Sequence, residues 1–367
     1  MTTRMLRTAG RSVRAARGAA RALAALANAA PAAAEVRVWY GIDVPPIDRI
    51  EHGGIVKLQA LAAAFPSTAR GFNLLYLVSS RLPDTAPLLA RAAKARGARV
   101  VVNQNGVAYA GWHGPGWEAV NAPMTALLET ADHVLYQSRF CKDAADRFLG
   151  SAGSPNEVLY NPVDTERFTP ASAAKRPLTL LLGGTQDFRY RVESAVQVLA
   201  LVSREHRDAR LLISGRLRWT AAHEAERDLG DMVERAAVAD RVDLTGPYTQ
   251  ADAPGLFARA DLLIHTKYKD PCPTVVLEAM ACGLPVAYSA SGGMPELVGD
   301  EAGIGVPVAD SWTTDQPPDP SAMAAAVCET YARRRDFGDA ARQRAVERFD
   351  VRRWIARHRE VFASLCH

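Results

Sequence analysis

The chain has 367 residues, 48% of them hydrophobic and 23% charged. That length allows two domains with sizeable cores, the balance excludes a largely disordered chain, and no stretch nears the roughly 18 apolar residues of a membrane-spanning helix. The net charge of +4 needs dividing: residues 1–34 hold six arginines and no acid, so the rest of the chain is slightly acidic and lacks the basic surface of a nucleic-acid binder.

In the leader, residues 1–34, Arg4, Arg7, Arg11, Arg14, Arg17 and Arg21 fall on one stripe if residues 4–23 are helical, with an alanine-rich face opposite. Three readings stand: a disordered extension or upstream start, a weakly held helix on an anionic membrane surface, and a secretory signal imitated by AAPAAAE.

From Glu35 onward, aliphatic runs at 35–40, 72–79, 98–103, 133–138 and 157–161 alternate with helical patterns at 55–65, 85–95 and 138–149. This is the signature of a parallel sheet covered on both faces. A Pro- and Ala-containing stretch, Thr169 to Pro177, breaks the alternation. It restarts with strand-like runs at 177–184, 209–214, 241–246, 261–266 and 284–289, and the chain closes in arginine-rich helices at 339–348 and 351–365 that read as a solvated face. Two successive doubly wound units account for this, with ligands expected at the carboxyl ends of the strands, in the cleft between the units. The expected boundaries are 35–172, 173–338 and a helical end at 339–367. Cys141, Cys272, Cys282, Cys328 and Cys366 are odd in number, scattered and without a C-x-x-C, which reads as buried thiols in a reducing cytoplasm and gives no zinc pattern.

The segment DPCPTVVLEAMACGLPVAYSASGGMPELVG, residues 270–299, carries the chemistry. Pro271 and Pro273 enforce an extended entry, and Thr274 to Cys282 form a short helix stopped by Gly283 and Pro285. The N–H groups of Thr274, Val275 and Val276 at its start favour a phosphate. Glu278, one turn beyond Thr274, suits two ribose hydroxyls, with Asp270 nearer the far end of such a ligand. A carboxylate in so apolar a helix needs a partner, which argues against plain core packing.

These residues resemble the retaining glycosyltransferases of family 4, of GT-B fold. Asp270 and Glu278 stand at the spacing of that family's two acids, followed by EAMACGLPV and by Gly292-Gly293-Met294-Pro295-Glu296. Gly53-Gly54 resembles its N-terminal glycine loop, VLYNPVDTERFTP (158–170) its passage into the second domain, ARADLLIHT (258–266) its strand before the donor site, and RFDVRRWIARHREVF (348–362) its final helix. The resemblance spans about residues 35–365. It implies two facing Rossmann-like, doubly wound α/β domains, with a C-terminal helix crossing back to the first. The implied reaction moves a hexose from a nucleotide-diphosphate sugar to a glycan, lipid-linked or small-molecule acceptor with retention at the anomeric carbon, and without a metal or other cofactor. Glu278 would bind the donor ribose and Asp270 the donor hexose, while the leaving phosphate takes the acceptor proton. The implied place of work is the cytoplasm, at the inner face of a membrane if the leader makes contact.

Three positions depart from the family pattern. Asp270 stands for a glutamate, and Pro273 for a glycine whose N–H could donate. In LLGGTQDFRYR, Gly184 follows Gly183 where the family has an arginine, and Arg189 stands for its lysine; Arg191 and Lys267 are candidate substitutes. Losing such a charge costs several kcal/mol of transition-state stabilisation. Asn105-Gly106 occupies the place of a family His-Gly, leaving His113 and His52 as candidate imidazoles, with Trp112 and Trp117 as sugar-stacking or packing rings. Arg216 and Tyr248, after strands of the second domain, are candidates to stack on the base. Two rival readings follow from these departures: a catalytically silent nucleotide-sugar-binding scaffold, and a nucleotide-sugar epimerase.

Overall fold

The computed structural model describes residues 20, 22–47, 49, 53–83, 85–171 and 177–367. The six leader arginines and His52 lie outside the described residues. Strands buried on both faces read as unbroken aliphatic runs, and LLYLV and HVLY are buried at every position. The described residues form two units, each built on one parallel sheet.

The first unit takes the described residues up to Pro46, residues 53–160, and Trp354–His367. Its elements are α1 (22–28), β1 (Val38–Trp39), α2 (Gly53–Ala64), β2 (Leu74–Val78), α3 (Ala86–Ala95), β3 (Arg99–Gln104), α4 (Ala110–His113), α5 (Trp117–Thr130), β4 (His133–Tyr136), α6 (Arg139–Phe148) and β5 (Asn156–Val158). The five strands lie side by side in chain order.

The second unit, built on Asn161–Arg353, holds β6 (Thr179–Leu182), α7 (Arg189–Val202), β7 (Arg210–Ser214), α8 (Ala222–Arg235), β8 (Val242–Gly246), α9 (Ala253–Phe257), β9 (Leu262–His265), α10 (Thr274–Ala281), β10 (Val286–Ala290), α11 (Met294–Val298), β11 (Gly303–Pro307), α12 (Pro320–Ala332) and α13 (Arg334–Arg348). Its sheet order is β11-β10-β9-β6-β7-β8, so the winding reverses between β6 and β9. That switch point opens a crevice beyond the carboxyl ends of the two strands. β11 is absent from the sequence expectation because three of the five residues in its run, GIGVP, are glycine or proline. A β-carbon at Gly303 would strike the Val286 backbone, and one at Gly305 would lie 2.8 Å from the Tyr288 ring. The neighbouring β10 leaves no room for side chains there.

The last helix, α14 (Val351–Cys366), carries Trp354, His358, Val361, Phe362 and Cys366 on one buried stripe. With Ile55, Leu58 and Leu61 of α2 it covers Val38, Leu74, Tyr76, Val101 and Leu135 of the first sheet. Burial pushes His358 down to about 4, so the ring is neutral between the Trp354 carbonyl at 2.8 Å and the Tyr76 hydroxyl at 2.9 Å. The return to the first unit begins at Trp354, whereas α13 stays with the second unit, packed on α10. Not all the arginines here form a solvated face. Arg342 donates to the carbonyls of Thr165, Phe168 and Ala281, and Arg344 to those of Glu296 and Leu297.

Phe362 is fully buried between α14, Tyr76 and Phe65. Phe362→Ala should cost about 3–5 kcal/mol, read as an earlier urea transition of the first unit by circular dichroism.

Candidate functional site

At the switch point, β6 ends in Gly183-Gly184, and the loop rests on the start of α10. A β-carbon on Gly183 would lie 2.5 Å from Val275 Cγ2, so only glycine allows this approach. Gly184 has φ +83°, a backbone that an arginine would strain to adopt. The fully buried Gln186 holds the loop from below, its amide donating to the Gly184 carbonyl at 2.7 Å. The Thr274 and Val275 N–H groups start α10 with no acceptor inside the helix. The Val276 N–H, expected with them, instead donates to the Pro273 carbonyl at 3.1 Å, because the proline folds the entry into a tight first turn.

Asp270 sits in the loop between β9 and α10, 8% exposed. Its Oδ2 lies 3.1 Å from His265 Nε2 and 3.3 Å from Lys267 Nζ. Burial alone would raise its pKa; Lys267, the His265 hydrogen bond and the buried Arg191 overcome this and hold it well below the ordinary carboxylate range. Burial pulls the imidazole of His265 the other way, down from its ordinary value despite the neighbouring carboxylate, so the neutral ring donates from Nε2. Arg191 Nη1 donates to the Thr185 carbonyl at 2.9 Å and Nη2 reaches the Gly183 carbonyl at 3.4 Å, while its buried Nε has no hydrogen-bond partner among the described residues. The guanidinium thereby places a positive charge against the glycine turn, joining Gly183, Gly184, Val275, Lys267 and Asp270 in one cluster.

Glu278 occupies the next turn of α10, 3% exposed, with Gln250 Nε2 donating to Oε1 at 3.1 Å. Burial pushes its carboxyl up to about 7, against the hydrogen bond from Gln250 and the charge of Arg167. The half-buried Tyr248 faces it and is raised in turn, first by burial and then by that carboxylate. Arg216 is exposed, and its backbone carbonyl accepts from Gln186 N.

One expected catalytic residue of the second unit, Arg189, is not part of this cluster. Arg189 is the first residue of α7, two positions before Arg191 and so on another face of the helix; it pairs with Glu193 at 2.7 Å and lies 3.7 Å from Asp228. His113 ends α4 exposed, its ring 6.0 Å from that of Trp112, while Trp117 packs edge-on against Phe148. In the first unit, Gly54 lies against Ser80, which accepts from Asn105 Nδ2 at 2.6 Å; Gly53 faces open space. Beneath them the buried Lys57 donates to Asn103 at 2.5 Å, Asn105 at 2.7 Å and Gln137 at 3.2 Å. His265, Gln186 and Lys57 were missed in the sequence because each is embedded in an apolar or turn-like run. The only warning sign was a polar residue at a position the pattern buries.

Among the described residues, one group of metal-type side chains converges. Glu205, His206 and Cys328 bring ligand atoms within 4.8 Å of one another where the end of α7 meets α12, outside the cluster above. No helix among the described residues is long and apolar enough to cross a membrane.

Two family profiles match the chain in sequence: Glycosyltransferase Family 4 over residues 15–167 and Glycosyl transferases group 1 over residues 164–344. The chain belongs to the family-4 glycosyltransferases. A D-inositol 3-phosphate glycosyltransferase of Mycobacterium sp. (strain KMS) is 28% identical over 179 residues, 47% of this chain and 40% of that protein. The gpi3 subunit of the Schizosaccharomyces pombe phosphatidylinositol N-acetylglucosaminyltransferase is 23% identical over 192 residues, 51% of this chain and 40% of its own. The chain thus spans less than half the length of these curated relatives. In fold it is similar to sucrose-phosphate synthase from Thermosynechococcus elongatus (TM-score 0.64, 20% identity, covering 85% of this chain and 77% of that one). Anabaena HepE in complex with UDP is equally similar (TM-score 0.64, 19% identity, 85% and 81%). The fold is GT-B.

The buried Glu278 makes the empty protein pH-sensitive. Its carboxyl binds a proton more tightly folded, at about 7, than unfolded, at 4.5, so folding takes up a proton. The resulting stability is complete below the unfolded value and is lost as pH rises through 7. Glu278→Gln should therefore raise the stability of the ligand-free protein at pH 8 by roughly 3 kcal/mol and change it little at pH 4, as followed by thermal unfolding at both pH values.

Proposed function

We propose that the chain transfers a hexose from a nucleoside-diphosphate sugar to a hydroxyl of its acceptor with retention of anomeric configuration. The observation that carries this reading is the meeting of Arg191, Lys267, Asp270 and the Gly183-Gly184 turn at the start of α10. It supplies cations and N–H groups for a diphosphate and an ionised carboxylate for sugar hydroxyls. Glu278 and Gln250 take the ribose. The diphosphate lies against the Thr274 and Val275 N–H groups, where helix start and guanidinium stabilise the charge that grows as the bond from the anomeric carbon to phosphate oxygen breaks. The acceptor oxygen bonds to that carbon on the same face, and its proton passes to the departing phosphate. Arg191, delivered from α7, thus replaces the charge that the family carries at the position of Gly184, and the site's own cations make a metal ion unnecessary.

On the first unit we assign the acceptor to the surface around Gly53, Gly54 and Asn105. Two relatives are named for inositol-containing acceptors, which favours a polyol here, free or lipid-linked. Five free cysteines fit work in a reducing cytoplasm, and the basic leader fits contact with an anionic membrane face.

The test is a thermal-shift panel of UDP, GDP and ADP with their sugar conjugates, followed by product analysis with polyol acceptors. One nucleotide should raise the melting temperature by an amount set by its concentration over its Kd. Glu278→Ala should abolish that shift, whereas Asp270→Ala should keep most of it and lose turnover. A shift without transfer would instead make the protein a nucleotide-sugar binder, and conversion of donor without acceptor an epimerase.

The two arginines of α7 should also separate. Arg191→Ala should lower transfer by about 100-fold or more, as for loss of a group that stabilises transition-state charge. Arg189→Ala should stay within about threefold, because an exposed helix ion pair contributes little. Initial rates at saturating donor decide between them.

A further inference from the structure

The turn that presents Asp270 contains a backbone outlier. Lys269 has φ +47°, in the left-handed region that residues with a β-carbon adopt at a cost. Its side chain is nevertheless buried. The ammonium pairs with Asp310 and lies 3.3 Å from the centre of the Trp312 ring. The Lys269 N–H donates to Ser291 Oγ at 2.9 Å. Next to it the Tyr268 hydroxyl accepts from Ser311 N at 2.6 Å and reaches the carbonyls of Ala309 and Ser311, both at 3.0 Å. On the other side Gly292, at φ +65°, is pressed so close that a β-carbon there would lie 2.6 Å from Lys269 C and 2.5 Å from Asp270 O. The segment 309–312 is therefore fastened to the two residues before Asp270, and the glycine pair backs the turn from behind.

We propose that Lys269 is a positioning residue for Asp270. The clamp of Asp310 and Trp312 on its side chain keeps the left-handed turn that points the carboxylate at His265 and Lys267 and at the donor hexose. This rests on the reading of Asp270 as the group that holds the donor hexose. Lys269 itself does not touch the ligand. It selects one of the orientations that a side chain with two rotatable bonds on a loop would otherwise sample, and angular error at a sugar-orienting group is expensive in rate. Asp310, whose side chain is 78% exposed, contributes through its pairing with Lys269.

The test uses the full chain with Lys269→Met, Lys269→Arg and Asp310→Asn, and measures nucleotide affinity by thermal shift alongside kcat and KM for transfer. Lys269→Met and Asp310→Asn should leave the affinity for the nucleoside diphosphate within about twofold and lower kcat roughly 10- to 100-fold. Lys269→Arg should recover most of the loss. Because both substitutions break one contact, Lys269→Met with Asp310→Asn should be no worse than Lys269→Met alone. Unchanged kcat in the folded single variants overturns the proposal. So does a parallel loss of nucleotide affinity and kcat, which would make the clamp a support for the whole unit. A wild-type chain that binds no nucleotide and transfers nothing overturns the functional reading of the site as well, and is recognised before any variant is made.

Discussion

A carboxylate leaves water only where cations and donors meet it, and the second unit is arranged around that requirement at Asp270. Lys267 comes from the same loop, His265 from the last position of β9, and Arg191 from the first turn of α7, whose helix starts just beyond β6. Strand ends flanking a topological switch are the one place where such distant residues converge without crossing the hydrophobic core. Two glycine features then bring backbone close enough for the cluster to exist: the Gly183-Gly184 turn seated on Val275, and Gly292 pressed against the Asp270 peptide. A side chain at either would push Val275 or the Asp270 peptide out of place.

The two acids of α10 and its entry loop show how environment divides identical chemistry. Asp270 is surrounded by cations and stays ionised, while Glu278 has an amide, a phenol and a thiol around it and is held near neutrality. A ligand offering hydroxyls can donate to the first throughout the physiological range. The second ionises fully only at the alkaline end or when a ligand's donors favour its charged form.

Much of this architecture was legible in the sequence. Aliphatic runs bounded by turn residues locate ten strands, because buried parallel strands tolerate little else, and the acid–helix–glycine motif singles out the loop that carries Asp270. What periodicity could not supply is which face of a helix looks inward when its first residue is unknown. Arg189 and Arg191 are alike in sequence, and only the start of α7 at position 189 turns one toward Glu193 and the other toward Gly183. His265 was hidden differently, as a polar letter at the end of the apolar stretch LLI in the run DLLIHT, and β11 because its glycines serve the neighbouring strand rather than its own propensity. Lys57 falls inside the helical pattern of α2, where an isolated lysine ordinarily points to solvent. Its burial under Asn103, Asn105 and Gln137 is a property of two other segments, the ends of β3 and β4.

The return of α14 to the first sheet bears on how the chain is made. Residues up to Tyr160 supply the five strands, but Trp354, Val361 and Phe362 seal one face of them. On a ribosome, where domains ordinarily fold in order of emergence, this order is reversed. The second unit is complete once Arg353 has emerged, while the first waits through nearly two hundred intervening residues with Leu74, Tyr76 and Val101 covered by α2 but not yet by α14. The last helix is thus a closing step in biogenesis, and until it docks the first unit is the part of the molecule most in need of a chaperone.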